Sequence, residues 1–350
     1  SMPDRLPWAT RLEIWYYALL RTGTLPERFV GKSLNEIHEM VKVGRQAYRQ
    51  LTPLKMTGVE CLVIFEGTEV SRIKEPAIDF PKPTNLVPRE TPGRTEIIYE
   101  TPVGKLRSVY RTTQAVLDFY SNPYLEKHVL AEDEDYKVVN WILDNGEPIA
   151  DYDGFIQAES EIGDNGMTMG MITRMPFQRI LLDFMGEERC FYELYDNRKE
   201  FDRLFDQLVA HHRRALELGC QSPATIVECT DNLDGAMTNP QLFKEFSLSL
   251  MQETAEVIHA AGKYFASHLD GDMSLLVDLI PETGLDVAES FSPYPLSQLT
   301  FKKAYAAWKN KPIMWGILPS PLFEARVDVE TFRTEIGDML DTIDKDHPAI

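Results

Sequence analysis

Lys263-Tyr-Phe-Ala-Ser-His-Leu-Asp-Gly271 is an aromatic and small-residue run that breaks at its C-terminal end into polar residues and glycine. Leu285-Asp-Val-Ala-Glu-Ser-Phe-Ser-Pro293 repeats the pattern further on. Such runs mark a buried parallel strand entering a loop. Two strand ends then present His268, Asp270 and Glu289. Neighbouring strands lie about 4.8 Å apart, so adjacency of these two would bring an imidazole and two carboxylates into one small volume. That composition suits a metal site or an acid/base site. Glu289 is the more telling carboxylate, because inside an apolar strand it needs a partner or a cation to offset its desolvation. Asp270 belongs to an Asp-Gly pair, which is common in turns, and His268 would otherwise serve only to cap a strand end.

From about Asp133 onward the chain repeats one grammar. Predicted strands at 225–229, 263–268, 285–289 and 312–316 are followed by predicted helices at 240–261, 274–280, 299–308 and 329–343. Strands alternating with helices give βα units and a parallel sheet. Upstream, 155–159 and 167–173 read as strands, and 177–185 and 199–218 as helices, the second closing at Gly219 as a C-cap. Successive strands end in Cys229-Thr-Asp-Asn232, His268-Leu-Asp-Gly271, Glu289-Ser-Phe-Ser292 and Gly316-Ile-Leu-Pro-Ser320. In a (β/α)8 barrel such ends share one mouth, where function collects. The expected fold is therefore α/β: a (β/α)8 barrel with its main part at 133–350, behind an N-terminal cap of helices and a β-hairpin at 1–132. In the cap, Ser33 and Glu36 form a capping-box signature opening a helical pattern carried to Tyr48. Residues 59–66 read as a strand, 76–93 as a Pro-rich loop, and 95–110 alternate around Pro102 and Gly104 as a hairpin does. Pro348-Ala-Ile350 reads as the start of a further, barrel-closing strand whose continuation is expected beyond Ile350.

A chain of 350 residues, 43% of them apolar, can bury one large core. No run approaches the roughly 18 apolar residues of a membrane span, and the N terminus lacks the regions of a signal peptide. A cytoplasmic protein without a membrane partner is expected. The four cysteines include no CxxC pair, which leaves nitrogen and oxygen ligands for any metal. A formal charge of −19 without clustered Lys/Arg argues against a nucleic-acid partner.

Other residues near the expected mouth carry two readings each. Asp231 and Asn232 either cap turns, or serve as an acid/base group and as a ligand for a substrate oxygen. Cys229, in a buried strand, reads as inert. The run Met167-Thr-Met-Gly-Met-Ile-Thr-Arg-Met175 is core strand; in its sharper reading Met167, Met169 and Met171 form an adaptable apolar wall for a flat ligand. Phe291, Tyr294 and Trp315 are packed aromatics or a stacking surface for an aromatic substrate.

Taken in order, Thr230-Asp-Asn-Leu-Asp-Gly-Ala-Met-Thr-Asn-Pro240, Ala261-Gly-Lys-Tyr-Phe-Ala-Ser-His-Leu-Asp-Gly271, Gly284-Leu-Asp-Val-Ala-Glu289 and Trp315-Gly-Ile-Leu-Pro-Ser320 resemble the uroporphyrinogen decarboxylase superfamily over about residues 155–350. Trp8 to Phe29 and Thr101-Pro-Val-Gly104 resemble its branch associated with corrinoid-dependent methyl transfer, including the first methyltransferase component of aryl-ether O-demethylases. The resemblance implies a (β/α)8 barrel, with either methyl transfer or tetrapyrrole decarboxylation as its chemistry. Similar metal-dependent methyltransferases carry His-x-Cys where this chain has His268-Leu269-Asp270. The aspartate makes the site richer in oxygen, which zinc accepts. His268, Asp270 and Glu289 are thus the expected zinc ligands. The resemblance further implies cobalamin on a separate corrinoid carrier protein and a small methyl donor, a methoxylated aromatic before methylamine, a methyl thioether or methanol. A homodimer is also expected. Decarboxylation, the alternative, calls for an Arg-rich segment after the first strand, which is not found here, although Arg5, Arg11 and Arg21 lie near the N terminus.

Overall fold

The computed structural model describes residues 8–308, 311–323 and 327–343. Its main sheet runs in chain order: β1 (Ala9–Thr10), β2 (Gly44–Gln50), β3 (Gly166–Ile172), β4 (Ile226–Cys229), β5 (Tyr264–His268), β6 (Val287–Glu289) and β7 (Ile313–Trp315). Every neighbouring pair is parallel. Strand alternation sorts the side chains onto two faces. Met169, Ile226, Ala266, Val287 and Trp315 pack together on the inner face. Val227, Cys229, Phe265, Ala288 and Met314 face outward, against helix residues such as Leu216, Met251 and Trp308. The sheet curls, since Trp315 Nε1 on β7 donates to Gln46 Oε1 on β2 at 3.0 Å across the interior. The result is an α/β half-barrel. Among the described residues β1 and β7 do not pair, and between them lies an apolar groove of about 510 Å3 lined by residues such as Trp15, Ile317 and Met339. The closing strand expected at 348–350 falls outside the described residues.

The sheet takes β1 and β2 from the segment that the sequence reading gave to the cap. The capping box at Ser33 forms as expected, but its helix is Leu34–Val41, ending at Lys42 in the left-handed conformation. Residues 44–50, expected to continue that helix in part, are strand because Gln46 and Tyr48 turn inward while Ala47 is buried on the other face. The segment 155–159 is not a strand. It lies in the helix Asp153–Ile162, whose buried residues Phe155, Ala158 and Ile162 follow helical spacing. The helix Arg198–Gln221 passes through Gly219 instead of stopping there. A Cβ at that position would meet Ile172 Cγ2 at 2.8 Å, so the glycine allows close approach of helix to sheet. No α-helix forms at 274–280. The connection from β5 to β6 is made of turns and a short 3-10 segment, Ile280–Thr283. The helices Phe301–Trp308 and Val329–Thr342 follow β6 and β7.

The insert between β2 and β3 builds a three-stranded sheet (Leu54–Met56, Ala77–Ile78, Gly146–Pro148) and a five-stranded antiparallel sheet whose centre is the expected hairpin, Gly93–Thr101 with Gly104–Thr112. It is tied to the barrel through Arg179 Nη2, which donates to Phe80 O at 2.7 Å. No described helix is long and apolar enough to cross a membrane.

Four histidines, His38, His128, His211 and His212, have pKa values lowered from 6.5, in each case first by burial. His212, fully buried beside Thr254 Oγ1 at 2.9 Å, is brought down to about 4. The unfolded chain therefore takes up protons that the fold refuses. Their effect on stability is absent above the unfolded value of about 6.5 and grows as pH falls towards 4, with His212 alone worth on the order of 3 kcal/mol. On lowering pH from about 7 to about 5, a His212→Asn variant should gain about 1–2 kcal/mol of unfolding free energy relative to the wild type, read by denaturant unfolding at both pH values, and an equal pH dependence in the two would refute this assignment.

Candidate metal centre at the barrel mouth

β5 and β6 each close on a polar residue, and the parallel register sets His268 directly beside Glu289. Glu228 on β4 is level with Ala266, one inward-facing layer below His268. All three side chains share the inner face. His268 Nδ1 is hydrogen-bonded to Glu289 Oε2, and its Nε2 lies 3.4 Å from Asp270 Oδ2. The second oxygen of Glu289 accepts from the Tyr48 hydroxyl and from Gln46 Nε2 at 3.3 Å. Glu228 is wholly buried, and neither carboxylate oxygen has a hydrogen-bond partner. One ligand atom each from Glu228, His268 and Glu289 lies within 4.8 Å of the other two.

Charge is concentrated here. Burial, then the neighbouring Glu289, pushes the Glu228 carboxyl well above its ordinary range. Burial alone would lower the His268 pKa, but its bonds to Asp270 and Glu289 outweigh it and lift the value to about 10. Burial likewise opposes ionisation of Glu289, and the His268 bond overcomes it and holds that carboxyl below its usual value. Burial and the Glu289 charge raise Tyr48 strongly. Above the Tyr48 ring, at 4.6 Å, sits the Arg11 guanidinium.

The structure brings His268, Glu289 and Asp270 together as expected, but gives them different positions. Asp270, two residues past the strand end, lies on the far side of the imidazole and bonds Asn232 Nδ2 at 2.9 Å. Glu228 stands in the ligand cluster where Asp270 was expected. Asp231 is buried with both oxygens engaged, by Met175 N at 2.7 Å and Ser267 Oγ at 2.7 Å, and braces the loop after β3. Met167 and Met169 belong to the inner cluster with Trp315, and Met171 is in register with Glu228. Phe291 is not at the mouth. It is 1% exposed and packs edge-on against Trp308 at 5.2 Å, in the outer core. Tyr294 is 64% exposed on an outer groove beside Pro319 and Met339. The two rings fall there because the chain leaves the inner face at Ser290, whose φ is +57°.

Glu228, Gln46, Tyr48 and Arg174 went unread in the sequence. Glu228 carried the signal that exposed Glu289, a carboxylate inside the apolar run Ile226-Val-Glu-Cys229. Gln46 and Tyr48 were hidden by the helical reading of their segment.

A methyltransferase from Methanosarcina mazei aligns with a TM-score of 0.44 and 12% identity, over 64% of this chain and 64% of that one. The aligned part therefore spans less than two thirds of that methyltransferase chain. No curated protein matches the chain. The family model described as uroporphyrinogen decarboxylase (URO-D) matches residues 121–346, more than half of the sequence and including β3 to β7. The chain belongs to the uroporphyrinogen decarboxylase family.

Proposed function

We propose that this protein is a methyltransferase that moves a methyl group from a small donor, a methoxylated aromatic, to cob(I)alamin on a separate corrinoid carrier protein, with zinc at Glu228, His268 and Glu289. The observation that carries the reading is the convergence of those three side chains, with the carboxylate of Glu228 buried and unpartnered. A divalent cation fits this donor set: it compensates two buried carboxylates, and zinc accepts imidazole and carboxylate together. Bound there, zinc supplies Lewis acidity toward a donor's ether oxygen.

The chain's own residues do the rest. Met167, Met169 and Trp315 give the interior an apolar wall suited to a flat, neutral ring. Tyr48 and Gln46 hold one oxygen of Glu289, which fixes that carboxylate while the other oxygen faces His268. In the metal-free chain Asp270 and Glu289 keep the His268 imidazole protonated at neutral pH; metal binding would displace the proton on the ligating nitrogen, with Asp270 left to orient the other side of the ring. Oriented binding of the donor against the incoming acceptor contributes the remaining acceleration.

One observation favours decarboxylation of an acidic tetrapyrrole instead, namely the Arg11 guanidinium over Tyr48, which makes no ion pair among the described residues. A single such cation is a weak match for a substrate with many carboxylates. The deciding experiment mixes the protein with reduced cobalamin and a panel of methyl donors and follows conversion to methylcobalamin by absorbance. Conversion with guaiacol-like ethers supports the proposal. Turnover of uroporphyrinogen with no methylation of cobalamin overturns it.

A further inference from the structure

We infer that Arg174 is a positioning residue for His268, acting through Asn232 and Asp270 without touching the reacting groups; this rests on the metal reading above. Arg174 follows β3, Asn232 follows β4 and Asp270 follows β5, so three successive strand-end loops contribute one link each. Arg174 Nε lies 3.2 Å from Asp183 Oδ2, in the helical segment Ile180–Met185, and both side chains are largely buried. Its Nη1 donates to Asn232 Oδ1 at 2.5 Å, and Asn232 Nδ2 donates to Asp270 Oδ2 at 2.9 Å. Asp270 Oδ2 in turn faces His268 Nε2 at 3.4 Å.

The chemistry of the links fixes their direction. A guanidinium only donates, so the Asn232 oxygen must face Arg174; an ionised carboxylate only accepts, so the amide nitrogen must face Asp270. The amide cannot flip without breaking both bonds. Asn232 is held at φ +49°, a backbone conformation that asparagine tolerates better than most residues, and this places its side chain between the two. Asp270, pinned in this way, assigns the Nε2 proton of His268 and leaves Nδ1 as the nitrogen turned toward Glu289 and Glu228. Arrangements of this kind, a ligand histidine oriented by a carboxylate that is itself oriented, set both tautomer and ring angle.

The test is zinc affinity of the full chain, measured by competition with a chromophoric chelator, for Arg174→Met, Asn232→Ala, Asp270→Ala and the Arg174→Met/Asp270→Ala pair. Asn232→Ala cuts the same chain of contacts without exposing Asp183, so the answer does not depend on Arg174→Met folding well. Each single change is expected to weaken zinc binding about 10- to 100-fold. Arg174→Met should add no more than about twofold once Asp270 is alanine, because residues acting in one chain are not additive. Unchanged affinity in Arg174→Met and Asn232→Ala, or a full additional loss in the pair, overturns the role of Arg174 while the metal reading stands. A wild-type protein that binds no zinc overturns the metal reading, and this inference falls with it.

Discussion

Replacing His268 with alanine is expected to remove stoichiometric zinc and to lower methyl transfer about 100-fold or more. The imidazole is the single nitrogen ligand in a cluster otherwise made of Glu228 and Glu289. Its removal leaves two buried carboxylates facing each other without the positive partner that holds Glu289 ionised. Like charges in one dry volume cannot both ionise, so one of them takes a proton and the donor set loses a second ligand. Elemental analysis of wild-type and variant protein, purified without chelator, reads the result directly. Equal zinc in both, or none in either, would make the centre an acid/base site and remove the metal from the proposal. Circular dichroism of the variant should stay that of the wild type, because His268 ends a strand and is not part of the packed outer core.

The Glu228→Met variant should move two properties in opposite directions. In the metal-free protein, Glu228 is a fully buried carboxylate with neither oxygen hydrogen-bonded. Leaving such a group unsatisfied is costly, and replacing it with an apolar side chain of similar length is expected to stabilise the metal-free fold by about 1–3 kcal/mol. The same change deletes a ligand and should weaken zinc binding by at least about tenfold. A residue kept at a cost to stability and needed for binding is what a functional site predicts. Denaturant unfolding after chelation, paired with chelator competition, measures both effects. If the metal-free variant is less stable than the metal-free wild type, Glu228 has a structural partner and the argument for a cation at that place fails.

The sequence by itself determined the parallel half of the architecture and two of the three clustered side chains. Strands β3 to β7 were legible because each is a short apolar run that breaks abruptly into polar or Gly/Pro residues, a local signal independent of what packs around it. Glu289 was legible for the same reason, since a carboxylate in such a run is out of place unless something compensates it. His268 was legible as the polar end of the best-formed run. The strand reading of 155–159 failed, because five residues are too few to separate a strand from one face of a helix whose periodicity runs to Ile162.

Tertiary structure alone decided the rest. That Gln46 and Tyr48 belong to the inner face followed only once β2 paired with β3, since the residues before them carry a genuine helix start and nothing local marks where it stops. That Glu228, and not Asp270, completes the cluster depends on register: Glu228 lies level with Ala266 and points inward, whereas Asp270 lies past the strand end, beside the opposite ring nitrogen. That Phe291 and Tyr294 leave the mouth depends on the left-handed turn at Ser290, a backbone state the residue's identity does not announce. Strand identity is written in short-range pattern, but a site at the strand ends is assembled from register and loop direction, which are properties of pairs of segments and so of the fold.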